Sequence, residues 1–111
     1  MMVFHLAEPA DWAEAVTAGA YDRSTRGRSL TDVGFIHLSS GEQWPRVRDA
    51  FYGDLETDLL LVEVDESLLG EALVWEMGEP GNDELFPHLY GPLPLTSVVS
   101  VSRLRPPHRS T

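Results

Sequence analysis

Three of the four histidines in this chain sit in closely similar company: Phe4-His5-Leu6, Ile36-His37-Leu38 and Pro87-His88-Leu89. In an extended segment each such triplet turns the imidazole to the face opposite its apolar neighbours. If the three segments lie side by side in one sheet, their imidazoles share a surface. A neutral imidazole both donates and accepts a hydrogen bond, and its ordinary pKa suits acid–base work near neutrality. Three imidazoles are also a zinc ligand set, although no H-x-H or H-x-x-x-H pair supports a metal here. The plainer alternative is that each ring is hydrogen-bonded to backbone or to a carboxylate and only shapes a pocket.

A second group of chemical residues follows His37 directly. Ser39, Ser40 and Gly41 stand where a strand runs into a helix, and strand-end hydroxyls with free helix amides hold phosphate or carboxylate. Ser40-Gly41-Glu42-Gln43 also reads as a capping box, which explains Ser40 without any ligand. Arg23, Arg26 and Arg28 would strengthen an anion site if their loop folds over it, because guanidinium forks bind phosphate bidentately. A serine nucleophile paired with a histidine lacks its G-x-S-x-G context. Trp75 beside Glu76 suggests a ring platform next to a carboxylate that stabilises developing positive charge. Glu63 and Asp65 are weaker candidates of the same kind, and Tyr21 and Tyr90 could stack on or hydrogen-bond a ligand.

The elements that must position these residues follow from pattern. Val3 to Leu6 reads as a strand, Pro9 to about Ala18 as a helix with Trp12, Ala15 and Val16 on its apolar side, and Gly19 as its stop. Ala20 to Thr31 has no apolar period and reads as a loop. Gly34 to Ser40 is a buried strand, followed by a helix from Ser40 or from Pro45 with Val47, Ala50 and Phe51 as its buried stripe, ending at Gly53. Asp58 to Val64 has the continuous apolar run of a central strand. Asp65 to Gly70 is a turn, Leu73 to Glu76 a strand, Gly78 to Glu84 a loop, and Val98 to Leu104 a last strand reached from Phe86 to Leu93 through a Pro94 turn. Two strand–helix units followed by strands alone define a single α+β domain over residues 1–105, with 106–111 a frayed, flexible tail.

Bulk composition excludes several classes. At 111 residues and 42% hydrophobic, the chain suits one core. Its formal charge of −10, from 18 acidic against 8 basic residues, argues against duplex nucleic acid as a partner. No apolar run approaches a membrane span and no leader pattern is visible, so a cytoplasmic protein with a small-molecule partner is expected. The absence of cysteine removes disulfides, thiol nucleophiles and cysteine-ligated metals.

The order Val3-Phe4-His5-Leu6, Trp12, Gly19, Tyr21, then Gly34 to Ser39 with Gln43, the Asp58 to Val64 strand, Trp75-Glu76 and Phe86 to Leu93 resembles the bacterial domain-of-unknown-function family nine-five-two. That family looks distantly similar to the ADP-ribosyltransferase-like superfamily. The likeness implies split antiparallel or mixed sheets with two helices around a cleft for NAD as substrate, with no further cofactor. Carried over by position, His5 matches the histidine that the superfamily gives to the ribose, and His37 falls near the place of its second-strand aromatic; in an enzyme of this kind His5 and His37 would position the ribose and Arg23 would hold phosphate. Ser39, Ser40, Tyr21, Trp75, His88 and Tyr90 become ligand contacts. The late motif from Pro87 to Pro92 carries no glutamate, so Glu76 or Glu84 is the expected catalytic carboxylate.

Overall fold

The computed structural model describes residues 1–78 and 83–109, so most of the expected 78–84 loop lies outside the described residues. In chain order the elements are β1 (Met2–Ala7), α1 (Pro9–Ala18), β2 (Ala20–Tyr21), α2 (Leu30–Val33), β3 (Ile36–His37), α3 (Trp44–Tyr52), β4 (Leu59–Asp65), β5 (Leu73–Met77), β6 (Leu85–Leu89), β7 (Leu93–Pro94) and β8 (Val98–Leu104). The strands form three sheets with orders β1-β4-β8, β2-β7 and β3-β6-β5. The domain is α+β, and every strand pair among the described residues is antiparallel. Of the two expected alternatives, antiparallel and mixed sheets, the described strands form the antiparallel one. β1 and β4, separated in the chain by α1, α2 and α3, pair antiparallel rather than through a parallel crossover.

Most elements form for the reasons visible in their residues. β4 is the middle strand of its sheet, and its Leu59, Val62 and Val64 are fully buried. Pro9 opens α1, and Gly19 closes it in the left-handed region at φ 90°, which only a residue without Cβ adopts freely. The capping box forms: Ser40 Oγ accepts from Gln43 N at 3.2 Å and Gln43 Oε1 accepts from Ser40 N at 2.9 Å. Regular helix then begins at Trp44, with Pro45 in the first turn where no backbone donor is needed. Both readings of this junction are realised in sequence.

Three expectations change. The domain has three helices rather than two, because Ser29 and Asp32 make a second reciprocal box inside the expected loop: Ser29 Oγ accepts from Asp32 N at 3.2 Å and Asp32 Oδ2 accepts from Ser29 N at 3.0 Å. Val16 on α1 is exposed, as are Ala50 and Phe51 on α3. The inner side of α3 consists instead of buried Tyr52 with Trp44 and Val47, packed on Leu6 and Leu59. The third change is at the C-terminus, where residues 106–109 dock rather than fray. His108 is buried, with Nδ1 accepting from Arg48 Nε at 2.9 Å and Nε2 donating to the Thr57 carbonyl at 2.7 Å.

The main core gathers Val3, Tyr21, Ile36, Leu38, Val62, Val64, Leu89 and Leu93, drawn from all three sheets. Ile36 and Leu38 point into it, as alternation requires, and His37 therefore points out of it. The docked end is testable. His108→Ala leaves Arg48 Nε and the Thr57 carbonyl without their partner, so a loss of about 1–3 kcal/mol in urea denaturation is expected. An unchanged midpoint would mean that the segment contributes nothing.

Candidate functional site

The β3-β6-β5 sheet assembles the chemistry. Its register sets His37 opposite His88, Val74 opposite His88 and Glu76 opposite Phe86. Side chains of registered antiparallel partners share a face, so His37, Phe86, His88 and Glu76 stand together, away from Ile36, Leu38 and Leu89. Trp75, opposite Pro87, stands on the other face. The expected platform of Trp75 beside Glu76 is therefore not formed, since adjacent strand residues alternate.

His37 lies on the wall of a cleft of about 380 Å³ bounded by Thr25, Arg46, Val47, Ala50, Phe51, Gly78, Glu84 and Phe86. Its backbone is held on both sides: its N–H donates to Ser24 Oγ at 3.2 Å and its carbonyl accepts from His5 Nδ1 at 2.8 Å. Its ring sits 5.0 Å from the Phe86 ring and makes no side-chain hydrogen bond among the described residues. Burial, then the neighbouring imidazoles of His88 and His5, lowers its pKa to about 4. At neutral pH His37 is thus an uncharged ring able to donate at one nitrogen and accept at the other.

Glu84 lies on the same cleft. Arg46 Nη2 donates to its Oε2 at 2.5 Å, and Gln43 Nε2 donates to that oxygen at 3.1 Å and to the Leu85 carbonyl at 2.8 Å. These donors, Arg46 first, hold the Glu84 carboxyl below its ordinary pKa, so it is ionised at neutral pH. The capping Gln43 thereby has a second role, tying the start of α3 to the start of β6.

Behind the cleft, His5 is buried and both of its nitrogens are used. A carbonyl only accepts, so the contact with His37 O makes Nδ1 the protonated nitrogen, and Nε2 accepts from the Tyr21 hydroxyl at 2.8 Å. Burial lowers the His5 pKa to about 4 and pushes the Tyr21 hydroxyl up. A separate small cavity between His37 and His5 is lined by Ser24, Ser39 and Tyr52.

A separate cluster adjoins His37. His88 Nδ1 donates to Glu76 Oε1 at 2.8 Å, the Tyr90 hydroxyl donates to the same oxygen, and Phe35 stacks on the His88 ring at 4.0 Å. The Tyr90 and His88 hydrogen bonds lower the Glu76 pKa.

The three similar histidines thus meet, but with different duties, and they make no metal site. Both His5 nitrogens are occupied, and no group of three ligating side chains occurs among the described residues. Arg23 does not reach the serines or the cleft wall. It pairs with Glu14 at 3.4 Å and with Asp11 and Asp22 at 3.9 Å. Arg26 ties its loop to α3 through Asp54 at 2.6 Å and the Phe51 carbonyl at 3.2 Å. Ser40 caps α3, and Ser39 is buried with its backbone paired to Phe4. The cleft residues that the sequence does not single out are Thr25, Arg46, Phe51 and Phe86. Arg46 and Glu84 are far apart in the chain, and no spacing pattern connects them. A separate depression of about 690 Å³ between Gly53 to Glu56 and Pro106, Pro107 and Arg109 holds none of the expected site residues.

Residues 6–101 match the family model described as "Protein of unknown function (DUF952)". The chain belongs to this family. Among solved structures it is similar to the crystal structure of protein CC0527 from Caulobacter crescentus, at 34% identity and TM-score 0.78 over 94% of this chain and 86% of that one. The solution NMR structure of CC0527 matches at 33% identity and TM-score 0.74, covering 94% of this chain and 84% of that one. A comparison with curated proteins found no match. For this DUF952 chain, the site is therefore read from its own geometry.

The two depressed imidazole pKa values make a pH prediction. Unfolded histidines titrate near 6.5, whereas folded His5 and His37 stay neutral down to about 4. Between those values the unfolded chain binds more protons. Their stabilisation is complete above about pH 6.5 and is lost as pH falls toward 4, at up to about 1.4 kcal/mol per pH unit for each fully depressed histidine. Urea midpoints should drop steadily from pH 6.5 to 4.5, and His5→Gln should flatten that slope. A flat wild-type profile across this window contradicts the assignment.

Proposed function

We propose that this domain binds a nucleotide-like small molecule, a phosphorylated ribose carrying a ring, in the cleft between α3 and the β3-β6-β5 sheet. The observation that carries the reading is the neutral His37 ring, without a side-chain hydrogen bond among the described residues, on the same cleft as the aromatic rings of Phe51 and Phe86 and the Arg46–Glu84 pair. Phe51 and Phe86 supply apolar surface for a base or nicotinamide ring. Arg46 supplies a planar cation that can exchange Glu84 for a phosphate. At about 380 Å³, the cleft is near the small end of ligand pockets, which span roughly 300–1,000 Å³. It suits a mononucleotide or the nicotinamide-ribose half of NAD.

The reaction class proposed is cleavage or transfer at the glycosidic carbon, the chemistry of the ADP-ribosyltransferase-like superfamily that the sequence resembles. Glu84 has the character this requires. An ionised carboxylate held by Arg46 and Gln43 stabilises positive charge developing on a ribose ring, and its lowered pKa suits that role better than proton donation. His37, with a pKa near 4, is a weak base at neutral pH and serves as a hydrogen-bonding group. That same property favours a second reading, in which the cleft binds its ligand without turning it over.

One experiment addresses both. Thermal unfolding is followed with AMP, nicotinamide mononucleotide, ADP-ribose and NAD, and nicotinamide release is assayed in parallel. A bound nucleotide at 100 times its dissociation constant adds about 2.7 kcal/mol of stability. His37→Ala should abolish the ligand shift while the unliganded protein stays folded. Glu84→Gln should retain binding and stop nicotinamide release. Binding without release by the wild type selects the non-catalytic reading, and no shift with any of the four ligands removes the nucleotide reading.

A further inference from the structure

His88 is buried, and its two nitrogens differ sharply. Nδ1 donates to Glu76 Oε1 at 2.8 Å, whereas Nε2 is shut off from solvent with no hydrogen-bond partner among the described residues. Leaving a buried acceptor unpaired is unfavourable, and the ring is held in place by Phe35 stacked on it at an interplanar angle of 16°. Glu76 is itself held, since the Tyr90 hydroxyl donates to the oxygen that His88 uses. A carboxylate accepts only, so a neutral His88 must carry its proton on Nδ1 and present a lone pair at Nε2. Its register partner across the β3-β6 pair is His37, whose ring centre is 5.4 Å away and whose ring nitrogens also lack a hydrogen-bond partner among the described residues.

We propose that Glu76 and His88 are positioning residues for His37: the two rings are not hydrogen-bonded as they stand, and a turn of the His37 ring brings its N–H to His88 Nε2, so that the other His37 nitrogen presents a lone pair to the cleft. The direction of hydrogen bonding then runs from the ligand through His37 and His88 to Glu76. An acceptor on the cleft wall selects a donor on the ligand. The group His37 reads is therefore a hydroxyl or an amide N–H, such as a ribose hydroxyl, and not a phosphate oxygen. Phosphate recognition falls to Arg46. The ligand half of this inference rests on the nucleotide reading of the cleft, and the tautomer half does not.

The test is made on nitrogen-15-labelled protein by long-range proton–nitrogen correlation spectra, which distinguish the two imidazole tautomers. Without ligand, His88 should be the Nδ1-protonated tautomer and His37 a single tautomer. In Glu76→Leu, His88 should lose that preference and His37 should become a mixture. Glu76→Gln, whose carbonyl still accepts from Nδ1, should restore both. AMP should bind at least about tenfold more tightly than its 2′,3′-dideoxy analogue, a gap that closes in Glu76→Leu. His88 protonated on Nε2 in the wild type, or a His37 tautomer indifferent to Glu76→Leu, overturns the proposal. Equal affinity for the two AMP forms overturns the hydroxyl assignment. If neither form binds while the tautomers behave as stated, the nucleotide reading falls and the positioning of His37 stands.

Discussion

One buried imidazole holds this fold together where it matters. His5 on β1 donates to the carbonyl of His37 on β3 and accepts from the hydroxyl of Tyr21 on β2, and those three strands belong to three different sheets. Between the β1 and β3 sheets the backbone supplies an isolated bridge, in which Phe4 and Ser39 exchange hydrogen bonds at 2.7 and 2.8 Å. The short chain of directed bonds through His5 adds to that bridge and extends it to β2. Because the chain is shielded from water, each link is stronger than it would be at the surface and costly to break. The same bond fixes the His37 backbone, so the anchor of the fold and the placement of the cleft histidine are one interaction.

The electrostatics of the cleft follow from burial more than from the acidic composition. His5 is kept neutral by burial, and His37 by burial and then by the neighbouring imidazoles of His88 and His5. The two candidate carboxylates are both kept ionised, by different means. Glu84 is held by a guanidinium and an amide, and Glu76 by a phenol and an imidazole. The first lies on the cleft and the second stands behind His37. Carboxylates that look alike in the sequence are thus given separate duties by their donors.

Much of the local structure is legible in short range. The Ser40 to Gln43 box and Pro9 and Gly19 around α1 arise from contacts within a few residues, and the apolar run of β4 and the span of β8 are visible in consecutive residue types. The Ser29–Asp32 box was equally present as an S-x-x-D pattern, masked by the polar residues around it. The inner side of α3 was misassigned because a short helix between two layers carries apolar residues on both sides: Trp44, Val47 and Tyr52 toward β1 and β4, and Phe51 toward the cleft. The Arg23 loop illustrates a related point. Its arginines find carboxylates on α1 and after α3, and an acidic protein offers many such partners.

By itself, the sequence determined that His5, His37 and His88 would each face away from their aliphatic neighbours, because strand alternation is a property of the backbone. It also determined the class of the domain and the caps of its helices. Only the tertiary structure decided that His5 would be sealed, His37 left open and His88 locked to Glu76. It also decided that Arg46 and Glu84, distant in the chain, would close the cleft. The physical reason is that solvent access and hydrogen-bond partners depend on which sheets meet. That is settled by long-range packing of the core, to which identical local triplets contribute in the same way.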